Sequence, residues 1–144
     1  MSQAFDATVR ANNSIALSPV AIATDTTTAG NTIDSVGYEG ILYSVLTGVV
    51  TDGTYTVQLF AGDAANMSDE AQVTASSGYL VQDGAIITSD PAALTSTDDD
   101  TVLTIGYIGP KRYTRLKIVS ASTSTGALIT AVATQVEKRH VARD

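Results

Sequence analysis

Apolar and polar side chains alternate with a period of two over several short stretches of this chain. In residues 55–61, the apolar residues Tyr55, Val57 and Leu59 occupy every second position. This is the pattern of a strand with one buried face. Residues 41–50 form a nearly continuous apolar run, which favours a strand covered on both faces. Residues 127–136 are long and apolar enough to lie inside a sheet.

Two turn signals separate four of these runs. Asp52-Gly53 lies between residues 41–50 and 54–61, and this dipeptide between apolar runs predicts a β-hairpin. Gly109-Pro110 lies between residues 102–108 and 111–120. Proline cannot donate a ladder hydrogen bond, so we place it at the corner of a second hairpin.

About eight short strands with turn signals every 8–12 residues or so predict an all-β domain. We expect an antiparallel β-sandwich or jelly roll, with a β-barrel as the alternative. The 144 residues, of which 44% are hydrophobic, suffice for a single domain with its own core. We expect an N-terminal arm over residues 1–18, the sandwich over residues 19–137 and a charged tail over residues 138–144.

Composition removes several possibilities. The chain has no cysteine, so neither disulfides nor thiolate metal ligands contribute. Residues 1–10 lack a basic run followed by an apolar core, and we expect no signal peptide. No stretch approaches the length of a transmembrane helix, so we expect no membrane partner.

Charge is divided unevenly along the chain. All but two of the 15 Asp and Glu residues precede residue 111, and all but one of the 8 Lys and Arg residues follow residue 110. A chain with one acidic and one basic part is suited to self-association or to docking on a patterned surface. The alternative is a folded dipole that has no partner.

The basic residues are concentrated after the second turn signal. The candidate docking residues are Lys111, Arg112, Tyr113, Arg115 and Lys117. Strand alternation predicts Arg112 on one face and the other four on the opposite face. Cross-strand pairing of these cations with nearby Asp or Glu is the alternative. The formal net charge of −7 disfavours a nucleic-acid partner.

No constellation of residues indicates catalysis. His140 is the only histidine and lies in the charged tail, where a general base would lack burial and a positioned partner. Paired-histidine zinc spacing, a P-loop and nucleophile or dinucleotide motifs are missing from the sequence. The acidic run 98–100 has oxygen ligands for a hard cation but not the spacing of an EF-hand, so we favour a solvated loop. We therefore expect no enzyme activity, no cofactor and no bound metal.

Three segments resemble small structural proteins of tailed bacteriophages and prophages, which are encoded among head genes. They are Gly37-Tyr38-Glu39, Thr51-Asp52-Gly53-Thr54-Tyr55-Thr56-Val57 and Gly106-Tyr107-Ile108-Gly109-Pro110-Lys111-Arg112-Tyr113-Thr114-Arg115. The resemblance covers roughly residues 36–136.

This resemblance implies a capsid decoration, or cement, protein with a β-sandwich or jelly-roll fold. Such a protein is made in the cytoplasm of the bacterial host and sits on the outer surface of the virion capsid. Its expected partners are the major capsid protein and further copies of itself, as a homodimer or homotrimer. A head–tail connector, tail or receptor-binding module of the same virion is the alternative, and a carbohydrate-binding sandwich is a third, disfavoured by the lack of Trp.

Overall fold

A computed structural model describes residues 10–138, and their regular structure is almost entirely β. The eleven strands are β1 (Asn12–Ile22), β2 (Thr27–Ala29), β3 (Ile33–Asp34), β4 (Tyr38–Val50), β5 (Thr54–Gly62), β6 (Ala71–Val73), β7 (Leu80–Gln82), β8 (Ala85–Ile86), β9 (Val102–Tyr107), β10 (Tyr113–Ala121) and β11 (Ala127–Lys138). Single 3₁₀ turns lie at Ala75–Ser77 and Ser96–Asp98.

The strands form two antiparallel sheets. Sheet A has six strands in the order β1-β11-β4-β9-β7-β8, and sheet B has the order β2-β10-β5-β6, with β3 also paired to β10. The predicted all-β, single-domain antiparallel sandwich is confirmed. Residues 127–136 lie inside sheet A, between β1 and β4, as their apolar length predicts.

The core lies between the facing sides of the two sheets. Tyr43 and Val45 of sheet A and Leu116 and Ile118 of sheet B are almost completely buried. The Tyr43 hydroxyl shares a buried hydrogen bond with the hydroxyl of Thr114, so one polar link crosses the apolar core. Burial raises the pKa of the Tyr43 phenol above its ordinary value.

The hairpin predicted at Asp52-Gly53 is wrong. The strand before this turn, β4, pairs with β11 and β9 of sheet A, whereas β5 pairs with β10 and β6 of sheet B. The Asp52 carboxylate accepts backbone hydrogen bonds from Thr125 and Gly126 at 2.9 and 2.8 Å. The turn is therefore joined to the β10–β11 turn and carries the chain from one sheet to the other.

The hairpin predicted at Gly109-Pro110 is wrong for the same reason. The strand before it, β9, pairs with β4 and β7 in sheet A, whereas β10 pairs with β5 in sheet B. Both strands around the turn have an apolar face to bury. Crossing between sheets lets the two faces meet in the core, which pairing within one sheet would not achieve.

Two further expectations need correction. In residues 41–50 the inner side chains are buried, but Leu42, Ser44 and Leu46 on the other face are only partly covered, so this strand is covered on one face. The arm expected over residues 1–18 is too long, because Asn12–Ile22 forms β1 and pairs with β11. In the expected tail, Lys138 ends β11 and residues 139–144, with His140, lie outside the described residues.

Candidate docking site around the cation cluster

The segment 106–111 is built around the ring of Tyr107. This ring is buried, meets the Tyr79 ring edge-on with centroids 6.3 Å apart, and its hydroxyl accepts a hydrogen bond from the Lys111 backbone N–H at 3.1 Å. A Cβ atom at Gly109 would overlap the Tyr107 ring. The glycine is therefore required by close packing, and the tyrosine fixes where Lys111 and Arg112 leave the turn.

A cleft of about 230 Å³ opens where β4 begins and β9 ends. One wall contains Tyr38 and Glu39, and the other contains Lys111 and Arg112. Ser35 also contributes to the lining, and its buried hydroxyl oxygen has no hydrogen-bond partner within residues 10–138. Two of the three segments that carry the phage resemblance thus meet at one end of the sandwich.

Arg112 is held by Asp34 through two parallel hydrogen bonds. The guanidinium Nε and one terminal nitrogen donate to the two carboxylate oxygens at 2.8 and 2.9 Å. Arg112 also lies over the Tyr113 ring, 5.0 Å from its centroid. The hydrogen bond from Arg112 lowers the pKa of Asp34, and Asp34 in turn raises the pKa of Arg112.

Lys111 is paired with Asp63 on the surface. The Lys111 Nζ to Asp63 Oδ2 distance is 2.6 Å, and about half of each side chain is exposed to solvent. The hydrogen bond to Asp63 raises the pKa of Lys111 above its usual value. Pairs this exposed add little to stability, so Lys111 remains accessible to a partner.

Arg115 and Lys117 share the carboxylate of Glu70 on the outer face of sheet B. Arg115 donates to both oxygens of Glu70 at 2.7 Å, and Lys117 donates to one of them. The Lys117 Nζ also lies 4.1 Å from the centroid of the Phe60 ring. The hydrogen bond from Arg115, with a further one from Lys117, lowers the pKa of Glu70 to about 2 against the opposing effect of burial.

The predicted alternation is confirmed from Tyr113 onward. Tyr113, Arg115 and Lys117 point outward, whereas Thr114 and Leu116 are buried. Lys111 and Arg112 lie in the connection before β10 rather than within the strand, so the assignment of those two to opposite strand faces is wrong.

The alternative in which the cations pair with carboxylates of the same chain is confirmed. Each of Lys111, Arg112, Arg115 and Lys117 has such a partner, and the partners are Asp34, Asp63 and Glu70. Docking through these residues stays a prediction. The pairing makes the cluster a nearly neutral, geometrically fixed surface instead of a freely mobile positive patch.

The carboxylates of residues 98–100 are largely used by the backbone. Asp98 accepts from the Thr95 N–H at 2.8 Å and forms a capping box with it, while Asp99 accepts from the Val50 N–H at 2.6 Å. Within residues 10–138 no group of three Asp, Glu or His side chains is arranged to hold a metal ion. This loop instead anchors the end of β4.

Comparison with protein families, curated proteins and solved structures finds no match to this chain. None of the helical segments in residues 10–138 has the length and apolar character needed to cross a bilayer.

Proposed function

We propose that this chain is a bacteriophage capsid decoration protein that binds the outer shell and stabilises contacts between major capsid protein subunits. The observation that carries the proposal is the strand order. The chain changes sheet six times: β1 lies in sheet A, β2 and β3 in B, β4 in A, β5 and β6 in B, β7 to β9 in A, β10 in B and β11 in A.

We infer from this order that the sandwich is a jelly roll. Eight of its strands form the spatial series β1-β11-β4-β9 facing β2-β10-β5-β6, as two interlocked Greek keys require, and the short β7–β8 hairpin extends one edge of sheet A. Jelly rolls occur in viral capsid and lectin domains. Because a fold alone does not specify a function, the docking role also needs support from the surface, and the cleft at the end of the sandwich provides it.

The cleft between β4 and β9 supports a docking role because it is both fixed and exposed. Half of each Lys111 and Arg112 side chain is accessible, while Asp34 holds the Arg112 guanidinium in one geometry through two parallel hydrogen bonds. A preordered site loses less conformational entropy on binding. On a shell with many identical positions, even modest contacts per copy add up, since a multimer bound at one subunit is held close to the next.

The test is co-sedimentation with expanded capsids of the parent phage assembled without this chain. We expect wild-type protein to bind near-stoichiometrically and to raise the temperature at which the shells break. Lys111→Ser should weaken binding about tenfold at low salt, and less at high salt, because an accessible cation is lost from the contact.

Asp63→Ser is the matched control, because it breaks the same ion pair but leaves the cation in place. We expect this variant to bind as well as wild type or better. Equal weakening by both substitutions would show that the pair only shapes the loop. Capsids that never recruit the wild-type protein would refute the proposed function.

A further inference from the structure

The outer face of sheet A has a composition unlike the rest of the surface. We call it the neutral face: the outward side chains of β1, β11, β4 and β9. No Asp, Glu, Lys, Arg or His occurs in residues 12–22, 40–50, 102–107 or 127–136, which cover all of β1 and β9 and most of β4 and β11. The charged residues Glu39, Glu137 and Lys138 lie at the ends of β4 and β11 and border the neutral face on one side. Sheet B, in contrast, carries the Glu70 ion-pair network on its outer side.

Aliphatic side chains and hydroxyls form cross-strand rows on the neutral face. One row runs Ile15, Val132, Ser44 and Thr104 across the four strands. Among the larger side chains, Ile15, Val102 and Leu128 are each more than half exposed. A soluble monomer rarely leaves a broad apolar surface of this kind uncovered.

A hollow of about 250 Å³ lies within this face. Val20, Leu46, Gly48 and Leu128 contribute to its lining. A Cβ at Gly48 would come within 3.3 Å of the Leu128 Cβ, so the glycine keeps the hollow open. Val102 pairs with Leu46 in the ladder and therefore projects from the surface beside the hollow. The face thus has a protruding side chain next to a depression.

Charge and area together identify the occupant as a second copy of this chain. Two molecules that each carry a formal charge of −7 repel one another, and the repulsion is smallest where neither presents a charge. Four strands about 4.8 Å apart, with an average length of about ten residues, give a flat area of roughly 600 Å². This approaches the ~800 Å² that each partner contributes to a standard stable interface.

Pairing through the free edge of β1 is disfavoured. This strand contains Pro19, and its register with β11 shifts twice between Ile15 and Val20. Proline and bulges are features that protect an edge strand from joining another sheet. Contact through the face avoids this edge.

We propose that two copies of this protein associate face to face through the neutral face, in a symmetric dimer in which the apolar rows and hollows of the copies meet. The proposal concerns self-association alone. It can hold whether or not the protein binds a capsid, so the capsid assay above and the measurement below fail independently.

The test is analytical ultracentrifugation of the full chain over a range of concentrations. We expect the wild type to sediment as a dimer. Val102→Glu should weaken the dimer at least about 100-fold, because in a symmetric dimer two carboxylates enter the interface without partners. Leu128→Lys should do the same although it lowers the net negative charge, which separates burial of a charge from overall repulsion.

Val36→Glu is the matched control. Val36 and Val102 are both 59% exposed, the substitution and the added charge are identical, and Val36 lies in the β3–β4 turn away from the neutral face. This variant should remain a dimer, and circular dichroism should show all three variants folded. A wild type that is monomeric at about 100 μM, or a Val102→Glu variant that dimerises like Val36→Glu, would overturn the proposal.

Discussion

Replacing Glu70 by Gln tests whether the cation cluster is a structural unit of sheet B. The Glu70 carboxylate receives hydrogen bonds from both Arg115 and Lys117. Its side chain is 17% exposed, and those of its partners are 24% and 18% exposed. The amide keeps the shape of the carboxylate but removes its charge, leaving two cations side by side on a half-buried surface.

The size of the effect follows from the pKa of Glu70. Folding lowers it from 4.5 to about 2, which would correspond to about 3 kcal/mol if fully realised. Solvent screening at a partly exposed site reduces this to about 1–2 kcal/mol. For a domain of this size we expect Glu70→Gln to lower the melting temperature by roughly 5 °C at pH 7.

The pH dependence of the stability provides a second, independent test. A carboxylate whose pKa is depressed by folding stabilises the native state above its unfolded pKa of 4.5, and this contribution is lost as pH falls towards 2. The difference in unfolding free energy between wild type and Glu70→Gln should therefore be full at pH 7 and shrink steadily below pH 4.5.

Urea denaturation followed by circular dichroism measures both quantities. Asp63→Asn is the control, because it makes the same chemical change in an ion pair that is half exposed, and we expect no resolvable loss of stability. A Glu70→Gln variant as stable as wild type at pH 7, or a difference that is the same at pH 7 and pH 3, would refute the reasoning.

Two further substitutions test the interior and the turn that precedes the cluster. Tyr43→Phe should lower the free energy of unfolding in urea by about 1–2 kcal/mol, because it leaves the buried Thr114 hydroxyl without its partner. The double variant with Thr114→Val should lose less stability than the sum of the two single variants. Strict additivity would contradict the coupling between the two hydroxyls. Gly109→Ala should cost about 1–3 kcal/mol through overlap with the Tyr107 ring. At Gly40 a Cβ would make only an ordinary 3.5 Å contact with Val136. Gly40→Ala should therefore leave the free energy of unfolding unchanged.

Local patterns predict the strands of this protein well. The alternation in residues 55–61 reports a buried face because consecutive side chains of any strand point to opposite sides. The same rule places Arg115 and Lys117 on the outside of β10. The fold class follows from such strands, since their apolar faces must be buried against another sheet.

Sheet membership is not encoded so locally. Asp52-Gly53 specifies a sharp reversal of the chain, but whether β5 pairs with β4 or crosses to the opposite sheet depends on competition from distant strands. Here β11, which begins 77 residues after the end of β4, pairs with one side of β4, and β9 pairs with the other. Both hairpin predictions fail at this level.

The partners of the cations are equally non-local. Glu70 and Arg115 are separated by 45 residues, and Asp34 and Arg112 by 78. These pairs exist because the pairing of β10 with β5 and β3 brings their neighbours together. The surplus of Asp and Glu before residue 111 indicates that partners are present without showing which residues meet.

The neutral face could be predicted from the sequence only in part. The charge-free segments are visible in the sequence as gaps between acidic residues. Only the order β1-β11-β4-β9 shows that they become neighbours on one surface.

The most direct test of the proposed function is a count of this chain per virion, by quantitative mass spectrometry of purified particles of the parent phage. A decoration protein that covers the shell should be present at a copy number comparable to that of the major capsid protein. A copy number that corresponds to one ring at a single vertex, or no detectable copies at all, would contradict it.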